Sequence, residues 1–377
     1  MANNLTGLID YIYQSADVVS RELVGMIPSV YINGVAEQAA VGQDVTYGIV
    51  PTMESEDIVP AAVPPALKDS SHGTGTMKIT KAKTVPFYWT GEDEAALGAK
   101  KSALENDKFA QAFRTIANEI EADLAALYVH ASRACGAAGT TPFGIAGDFS
   151  DAAQAVKILK DNGAPTSDIQ LVINTAAGAN IIGKQARADI VGSNVGSLQQ
   201  QGILLNIAGC RIRESAAIAQ HTPGGGSGYL LNNAQGFAAG TTDLAVDSGS
   251  GDILAGDLVT IDGRDYIVSA DMDAGALSIG APGLLADAAD NTAVTAGSAA
   301  YAANLCFDRS AIHLLARLPK LPAGGDAADD EYTLVDPVSG LPFRVAMYKG
   351  FHAVQIHVQC AWGVACVKPA HVAILMG

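Results

Sequence analysis

The most regular pattern in this chain is a stripe of apolar residues at spacings of three and four. That period marks one face of an α-helix, and its members are Phe109, Phe113, Ile116, Ile120, Leu124 and Leu127. Charged residues lie largely off the stripe, at Lys108, Arg114, Glu119, Glu121 and Asp123. The pattern predicts an amphipathic helix from Glu105 to His130, about seven turns and ~39 Å long at 1.5 Å per residue.

The chain before this helix combines helical, extended and turn-forming segments. Leu5, Leu8, Ile12, Ala16, Val19 and Leu23 predict an N-terminal helix that ends before Pro28. Such a helix either packs on its own domain or forms an arm on a neighbouring subunit. Val45 to Val50 predicts a strand and Met77 to Trp89 one long strand. The ~25 residues between them show only turn chemistry, so an extended, projecting hairpin is expected. The carboxylates of Glu92, Asp93 and Glu94 then favour a helix start.

Beyond the Gly-rich break at Gly136 to Gly147, helix and strand patterns alternate. Asp151 to Asn162 predicts a helix, Ile169 to Asn174 a buried strand, and Thr175 to Ala188 another helix. An α/β body follows from this order.

After Gln220 the helix signals cease. Short strands are predicted at Leu258 to Ile261, Asp265 to Ser269 and Ala276 to Ile279, and Asp262-Gly263 is a hairpin turn signal. The pattern predicts a small β-barrel that is inserted into the body and ends near Asn304.

The last part of the chain predicts further strands at Phe343 to Tyr348, Ala353 to Ala361 and Val364 to Val367. Within the second of these, Val354, Ile356 and Val358 alternate with polar residues. We expect a half-exposed antiparallel strand that packs its apolar side on the long helix.

Composition points toward assembly with other protein. The 377 residues include 49% hydrophobic types and only 16% charged ones, and the mean hydropathy is +0.21. Typical soluble domains hold roughly 25% charged residues. A chain of this length can bury a large core in two or three linked domains. The low charge indicates that much of its surface faces other protein.

Charge, the N-terminal residues and cysteine usage argue against a nucleic-acid-gripping, secreted or membrane-spanning protein. A formal net charge of −16 argues against a main task of gripping a phosphate backbone. Met1 to Leu8 lacks the features of a secretory signal, and no run of ~18 apolar residues predicts a membrane span. Five cysteines are expected to be reduced packing thiols made in a cytoplasm: Cys135, Cys210, Cys306, Cys360 and Cys366.

Two Gly-rich candidates for chemistry have plainer structural interpretations. The run Gly224 to Gly228 suggests a phosphate loop but lacks the Lys-Ser/Thr that would follow it, so a flexible linker into the inserted domain is favoured. Ser227 and Ser250 lie beside glycines, yet neither completes the Gly-x-Ser-x-Gly elbow of a serine hydrolase.

Three groups of residues have the side-chain types of metal ligands, but their spacing favours packing, a turn or a solvated loop. His352, His357, Cys360 and Cys366 do not have the spacing of a zinc finger, and packing roles are favoured. Asp271, Asp273 and Gly275 begin like a calcium loop without its Glu, which favours a hairpin turn. Asp326, Asp329, Asp330 and Glu331 suggest a solvated acidic loop. We therefore assign no catalytic, cofactor-binding or metal-binding residue, expect no cofactor, and predict that the chain is not an enzyme.

Four stretches resemble the major capsid proteins of tailed phages, and especially the short-tailed-phage coat proteins that carry an insertion domain. They are Met77 to Phe87, the acidic helix start at Glu92, Ala303 to Ile312, and Ala361 to Ala370, which resembles the aromatic-Gly-Val then Arg/Lys-Pro ending of these coats. The resemblance follows the order of the predicted elements along nearly the whole chain.

The resemblance implies an α+β, Hong Kong 97-like fold with an N-terminal arm, an extended loop, a long spine helix, an axial domain and an inserted small β-barrel domain. The implied divisions are an arm (1–40), an extended β-hairpin loop (41–92), a peripheral domain with the spine helix (93–135), an axial domain (136–220), an inserted β domain (221–304), an axial return (305–330) and the C-terminal strands of the peripheral domain (331–377).

Function follows as an expectation from the same resemblance. Copies of the chain would form hexamers and pentamers in an icosahedral shell around double-stranded DNA, without sequence-specific binding or a membrane. A scaffolding protein and a portal would be partners, with assembly in the host cytoplasm and a final place in the virion. Two alternatives remain open: an encapsulin-like compartment shell, and an α/β hydrolase or carbohydrate-binding protein with an appended β domain.

Overall fold

The computed structural model describes residues 25–49, 73–97, 101–145, 148–188, 206–336 and 339–377. The predicted helix from Leu5 to Leu23 lies outside the described residues. The helices are α1 (Gly91–Leu97), α2 (Lys101–Ala125), α3 (Ser150–Asp161) and α4 (Thr175–Ala188), with short 3-10 helices at Ile27–Ser29, Ala126–His130, Arg309–Ala311 and Pro369–His371.

Strands are more extensive than helices in the described chain, and both are present, so it is a mixed α+β protein. They are β1 (Tyr31–Ala39), β2 (Asp44–Ile49), β3 (Gly73–Lys78), β4 (Lys81–Thr90), β5 (Arg133–Gly136), β6 (Ile169–Ile173), β7 (Asn206–Ile207), β8 (Cys210–Glu214), β9 (Gln220–His221), β10 (Tyr229–Leu231), β11 (Asp243–Asp247), β12 (Leu258–Ile261), β13 (Arg264–Ile267), β14 (Ala276–Ser278), β15 (Ala293–Ala296), β16 (Tyr301–Asp308), β17 (Ile312–Pro319), β18 (Asp330–Val335), β19 (Pro342–Gly350), β20 (Ala353–Cys366) and β21 (Val372–Met376).

The long helix is confirmed as α2, which begins at Lys101 and continues as a 3-10 turn to His130. Its apolar stripe is buried at Phe109, Phe113, Ile116, Ile120 and Leu124. One charged residue departs from the prediction, because Glu121 is only 2% exposed. It is buried because it accepts hydrogen bonds from another segment of the chain, as described below.

The stripe of α2 packs on a six-stranded sheet. The order is β1-β17-β20-β19-β18, with β4 paired to the other edge of β20. Ile356 and Val358 of β20 lie in the same apolar core as Phe109 of α2. The prediction that this alternating strand packs on the helix is therefore confirmed.

Two strand predictions around β20 are wrong. The single strand from Met77 to Trp89 is two strands, because β3 pairs with β2 whereas β4 pairs with β20. Conversely, the two strands predicted from Ala353 and from Val364 are one continuous strand, β20, which ends at Cys366. The continuity needs Gly363, where a Cβ would lie 2.0 Å from the carbonyl oxygen of Lys78.

A second sheet of seven strands lies beside the first. Its order is β5-β21-β16-β6-β8-β7, with β9 also paired to β16. Strands β6 and β21 are buried along their whole length, as expected of strands covered on both faces. The predicted helices at Asp151 and Thr175 are confirmed as α3 and α4, and α3 packs on this sheet.

Strands β10 to β15, from Tyr229 to Ala296, form a separate unit that we call the ring. Their order is β13-β12-β15-β10-β11-β14, and the bridge between Val268 and Ile279 connects the two ends. The ring has its own apolar core, which includes Leu231, Val259 and Leu277. The Asp262-Gly263 turn is confirmed, since both residues have positive φ, 49° and 72°, in the two-residue turn between β12 and β13.

Candidate assembly surfaces

Strands β2 and β3 form a two-stranded sheet by themselves, which we call the hairpin. Their register runs from Asp44 opposite Lys78 to Ile49 opposite Gly73. Within β3 only Met77 is buried, in a small core at the base with Ile79 and Leu315. An isolated two-stranded sheet is marginally stable in water. The described part of the hairpin therefore has two largely solvent-facing sides that another molecule could cover.

Strand β4 continues from the base of the hairpin and forms an edge of the six-stranded sheet. It pairs only with β20 among the described strands. Lys81 and Lys83 extend from it to the long helix, with Nζ–carboxylate distances of 2.7 Å to Asp123 and 3.5 Å to Glu119. Lysines and a proline, here Pro86, are residues that discourage unwanted edge pairing.

The turn between β19 and β20 presents an aromatic side chain to solvent. Phe351 is 93% exposed, and its ring meets that of His352 edge-on at 4.4 Å between centroids. Tyr88 of β4 is 62% exposed. Large exposed aromatic side chains are typical of the centres of protein–protein contacts.

A buried carboxylate attaches the segment Gly25 to Val30 to the long helix. The Oε1 of Glu121 accepts a hydrogen bond from the Ile27 amide at 2.7 Å, and its Oε2 accepts from the Met26 amide at 3.0 Å. The hydroxyl of Ser215 donates to the same Oε2 at 2.8 Å. Burial raises the pKa of Glu121, and these donors oppose that shift. The first described residues are thus fixed to the body.

Two arginines hold the other side of that segment. Arg309 donates through Nη2 to the Pro28 carbonyl at 2.7 Å, and through Nε to the Val30 carbonyl at 3.3 Å. Arg213 donates to the Ser29 hydroxyl at 3.0 Å. Five backbone or hydroxyl groups of a six-residue segment are therefore bound by side chains of other elements.

A chain of hydrogen bonds connects the ring to the body. His221 contacts the Asp257 carboxylate through Nε2 at 2.8 Å, and the Tyr128 hydroxyl through Nδ1 at 2.8 Å. Asp257 also accepts from the amides of Gly224 and Leu254. The hydroxyl of Tyr301 donates to the Gly256 carbonyl at 2.5 Å. Both imidazole nitrogens are engaged, so His221 has a structural role at this junction.

The run Gly224 to Gly228 belongs to the same junction and leads from β9 into the ring, as predicted for a linker, and parts of it pack closely there. A Cβ at Gly224 would lie 2.2 Å from the Asp252 carbonyl oxygen, and one at Gly226 would lie 2.5 Å from the Ile253 side chain. Ser227 and Ser250 form a backbone bridge with each other. The glycines permit close backbone packing, and the two serines belong to that pairing.

The residues weighed above as metal ligands lie apart in the structure or form turns. His352 lies in the β19–β20 turn, whereas the Nδ1 of His357 contacts the Thr84 hydroxyl at 3.1 Å. Burial raises the pKa of Cys360 and of Cys366 to about 12. No cluster of three His, Cys, Asp or Glu side chains suited to a metal lies within the described residues.

The predicted calcium-like loop is a tight turn. Asp273 and Ala276 exchange backbone hydrogen bonds of 2.8 and 3.3 Å around Ala274 and Gly275, which both have positive φ. The Asp271 carboxylate accepts from the Ala255 amide at 2.8 Å. Both observations agree with the hairpin turn that the sequence favours.

Asp326, Asp329 and Glu331 are exposed, as predicted for a solvated acidic stretch, but Asp330 and Glu331 begin strand β18 instead of lying in a loop. The buried guanidinium of Arg344 donates to Glu331 at 2.7 Å and to Asp326 at 3.1 Å. Tyr348 donates to Asp326 at 2.6 Å, and with Arg344 it lowers the pKa of that carboxyl. Lys349 pairs with Asp329.

No helix in the described ranges is long and apolar enough to cross a bilayer.

All five cysteines are free thiols, and burial raises the pKa of Cys210 to about 11.

No protein-family model matches this sequence, and no curated protein matches it significantly. Solved structures do match over most of its length. A chain of Mycobacterium phage Che8 is 16% identical, with a TM-score of 0.45 over 88% of this chain and 84% of that one. The capsid of a native GTA particle is 11% identical, with a TM-score of 0.47 over 94% and 90%. The virus-like particle from Pyrococcus furiosus is 9% identical, with a TM-score of 0.42 over 97% of both chains.

Proposed function

We propose that this chain is a shell subunit, the major capsid protein of a tailed phage with a Hong Kong 97-like fold. The observation that carries the proposal is the hairpin. It leaves the six-stranded sheet with both faces largely uncovered, and the described chain offers it no third strand. A neighbouring copy is the partner that would cover it.

Other surfaces support the same role. Phe351 and Tyr88 present aromatic area outside the chain's own cores. Met26 and Ile27 are fixed to the long helix by hydrogen bonds, and we propose that residues 1–24 before them form the arm on a neighbour. Contacts at several separate places are what a subunit in a closed lattice requires.

The resemblance extends this proposal to the whole particle. Hexamers and pentamers would build an icosahedral shell around double-stranded DNA, with a scaffolding protein and a portal as partners. The divisions proposed for 221–304 and 41–92 would then be the inserted domain and the extended loop. The net charge of −16 suits a container that does not hold packaged DNA tightly.

The hydrolase alternative gains no support from the junction of His221 and Asp257. A general base needs an imidazole nitrogen directed at a nucleophile. Here Nε2 faces Asp257 and Nδ1 faces Tyr128. Tyr128 is itself half-buried, and its side chain lies against the backbone at Gly256.

The test replaces residues 46–76 with a short Gly-Ser turn. We expect the subunit to fold, because the buried contacts of Met77 and Ile79 remain, and to remain a monomer or single capsomer where the wild type forms shells. Sedimentation velocity and negative-stain microscopy measure assembly, and circular dichroism measures folding. A wild-type chain that stays a ~40 kDa monomer under all conditions overturns the proposal, and nuclease-protected DNA in particles distinguishes a phage coat from an encapsulin-like shell.

A further inference from the structure

A cleft of about 290 Å³ separates the ring from the body. Arg133 of β5 and Lys157 and Asp161 of α3 line its body side, and Arg264 and Asp265 line its ring side. Three cationic side chains thus face two carboxylates. This concentration is unusual in a chain with a net charge of −16.

The ring contributes its only basic residue to this cleft. From Tyr229 to Ala296 the sequence has ten aspartates, no lysine, and a single arginine at position 264. That arginine lies 3.3 Å from Asp262, whose side chain is 67% exposed. Solvent screens such an exposed pair, so the guanidinium is available to a second anion.

Arg133 is the strongest indication of a ligand. Its side chain is 16% exposed, and its Nε and Nη2 atoms are buried without a hydrogen-bond acceptor among the described residues. The nearest carboxylate oxygen, in Asp161, is 3.6 Å from Nη2, beyond good hydrogen-bond distance. A buried charged donor without a protein acceptor is costly, so these two atoms suit an acceptor from outside the chain.

We propose that this cleft binds a small oxyanion of the phosphate class. A guanidinium offers two parallel N–H donors that match two oxygens of a tetrahedral anion. A water occupies about 30 Å³ of liquid volume, so the cleft has room for a phosphate and several waters. Lys157 and Arg264 supply the additional charge from opposite walls. This proposal does not rest on the shell function, because it concerns one subunit.

Inorganic phosphate is the probe, measured by calorimetry on the purified full chain in chloride buffer of matched ionic strength. We expect Arg133→Gln to weaken binding by about tenfold or more, because it removes the Nε and Nη2 donors that have no acceptor in the described protein. Lys157→Gln, on an exposed helix face, should weaken it by about threefold. Asp161→Asn should strengthen it by about threefold, since it removes a competing carboxylate.

Lys78→Gln is the matched control, because that lysine is 65% exposed on the hairpin and should leave phosphate affinity unchanged. Circular dichroism verifies that each variant is folded. A short DNA duplex that displaces phosphate would identify a nucleic-acid phosphate as the source, whereas a duplex without effect would identify free phosphate. No binding by the wild type, or equal binding by wild type and Arg133→Gln, overturns the proposal.

Discussion

Three buried polar side chains each lie where separate elements meet. Glu121, His221 and Arg344 are 2%, 7% and 2% exposed. Each binds groups on other elements, so each fixes the relative position of two parts of the chain. Removal of one partner from such a contact leaves a buried group unsatisfied, which costs more than the net value of the hydrogen bond.

Glu121→Gln should change how stability depends on pH. Burial raises the folded-state pKa of Glu121 above its ordinary value of 4.5. A raised pKa gives a stabilising contribution that is complete below about pH 4.5 and is lost as the pH rises through the folded pKa. The free energy of unfolding of the wild type minus that of Glu121→Gln should therefore fall from about pH 4 to pH 7, measured by urea denaturation. Glu119→Gln, a 39% exposed neighbour, removes the same charge; if its difference changes equally, burial of Glu121 is not the cause.

His221→Ala should loosen the junction between ring and body. It leaves the Asp257 carboxylate, only 1% exposed, without its imidazole partner. We expect a loss of ~3 kcal/mol in the free energy of unfolding and faster proteolysis around Gly224. His352→Ala, in an exposed turn, should change stability by less than about 0.5 kcal/mol. Equal effects of the two variants would show that the junction contributes nothing specific.

At the scale of elements, β20 organises the six-stranded sheet, because β4, β17 and β19 all pair with it. The length of β20 depends on close backbone contact between Gly363 and Lys78. Lys78 lies where the chain passes from the hairpin into β4. The amide of Thr80 donates to the Trp362 carbonyl at 3.0 Å beside that contact. The position of the hairpin base is therefore set by a glycine in the last strand but one.

Gly363→Ala should destabilise the fold by about 2 kcal/mol, because the added Cβ would overlap the Lys78 carbonyl and force the two strands apart. Gly350→Ala in β19 is the control, since the nearest atom to its added Cβ would be 3.6 Å away. Urea denaturation gives the two values. A Gly363→Ala protein as stable as the control would mean that the strands separate at no cost.

At the scale of the whole molecule, charge is uneven. The ring bears ten of the 39 acidic residues of the chain and one of its 23 basic ones, and most of these aspartates are exposed. Copies of the chain therefore repel one another at long range, and contacts such as the hairpin must overcome that repulsion.

If the shell proposal holds, assembly should accelerate with salt, because the screening length falls from about 30 Å at 0.01 M to about 8 Å at 0.15 M. Light scattering during assembly would show a shorter half-time as sodium chloride rises. A variant with Asp243, Asp247 and Asp287 changed to Asn should show a weaker salt dependence. Slower assembly at higher salt would show that attractive ion pairs between copies dominate.

The sequence by itself determined the elements whose pattern is local. The stripe from Phe109 to Leu124 has the period of a helix, and α2 follows it. The Asp262-Gly263 turn and the strands beside it in the ring are likewise specified by residues within a few positions of one another. The first strand of the hairpin was predictable as well, but its second strand, Gly73–Lys78, lies mostly in the stretch that showed only turn chemistry.

Only the tertiary structure decided where those elements change partner and which polar groups are buried. Ile79 and Thr80 separate β3 from β4, because β3 pairs with β2 whereas β4 pairs with β20. The spacing of apolar residues hardly changes at this point. Glu121, His221 and Arg344 look like surface residues in sequence, and only their contacts with other elements in the fold show that they are buried. Strand pairing and burial depend on residues tens to hundreds of positions apart, and local periodicity contains no information about such neighbours.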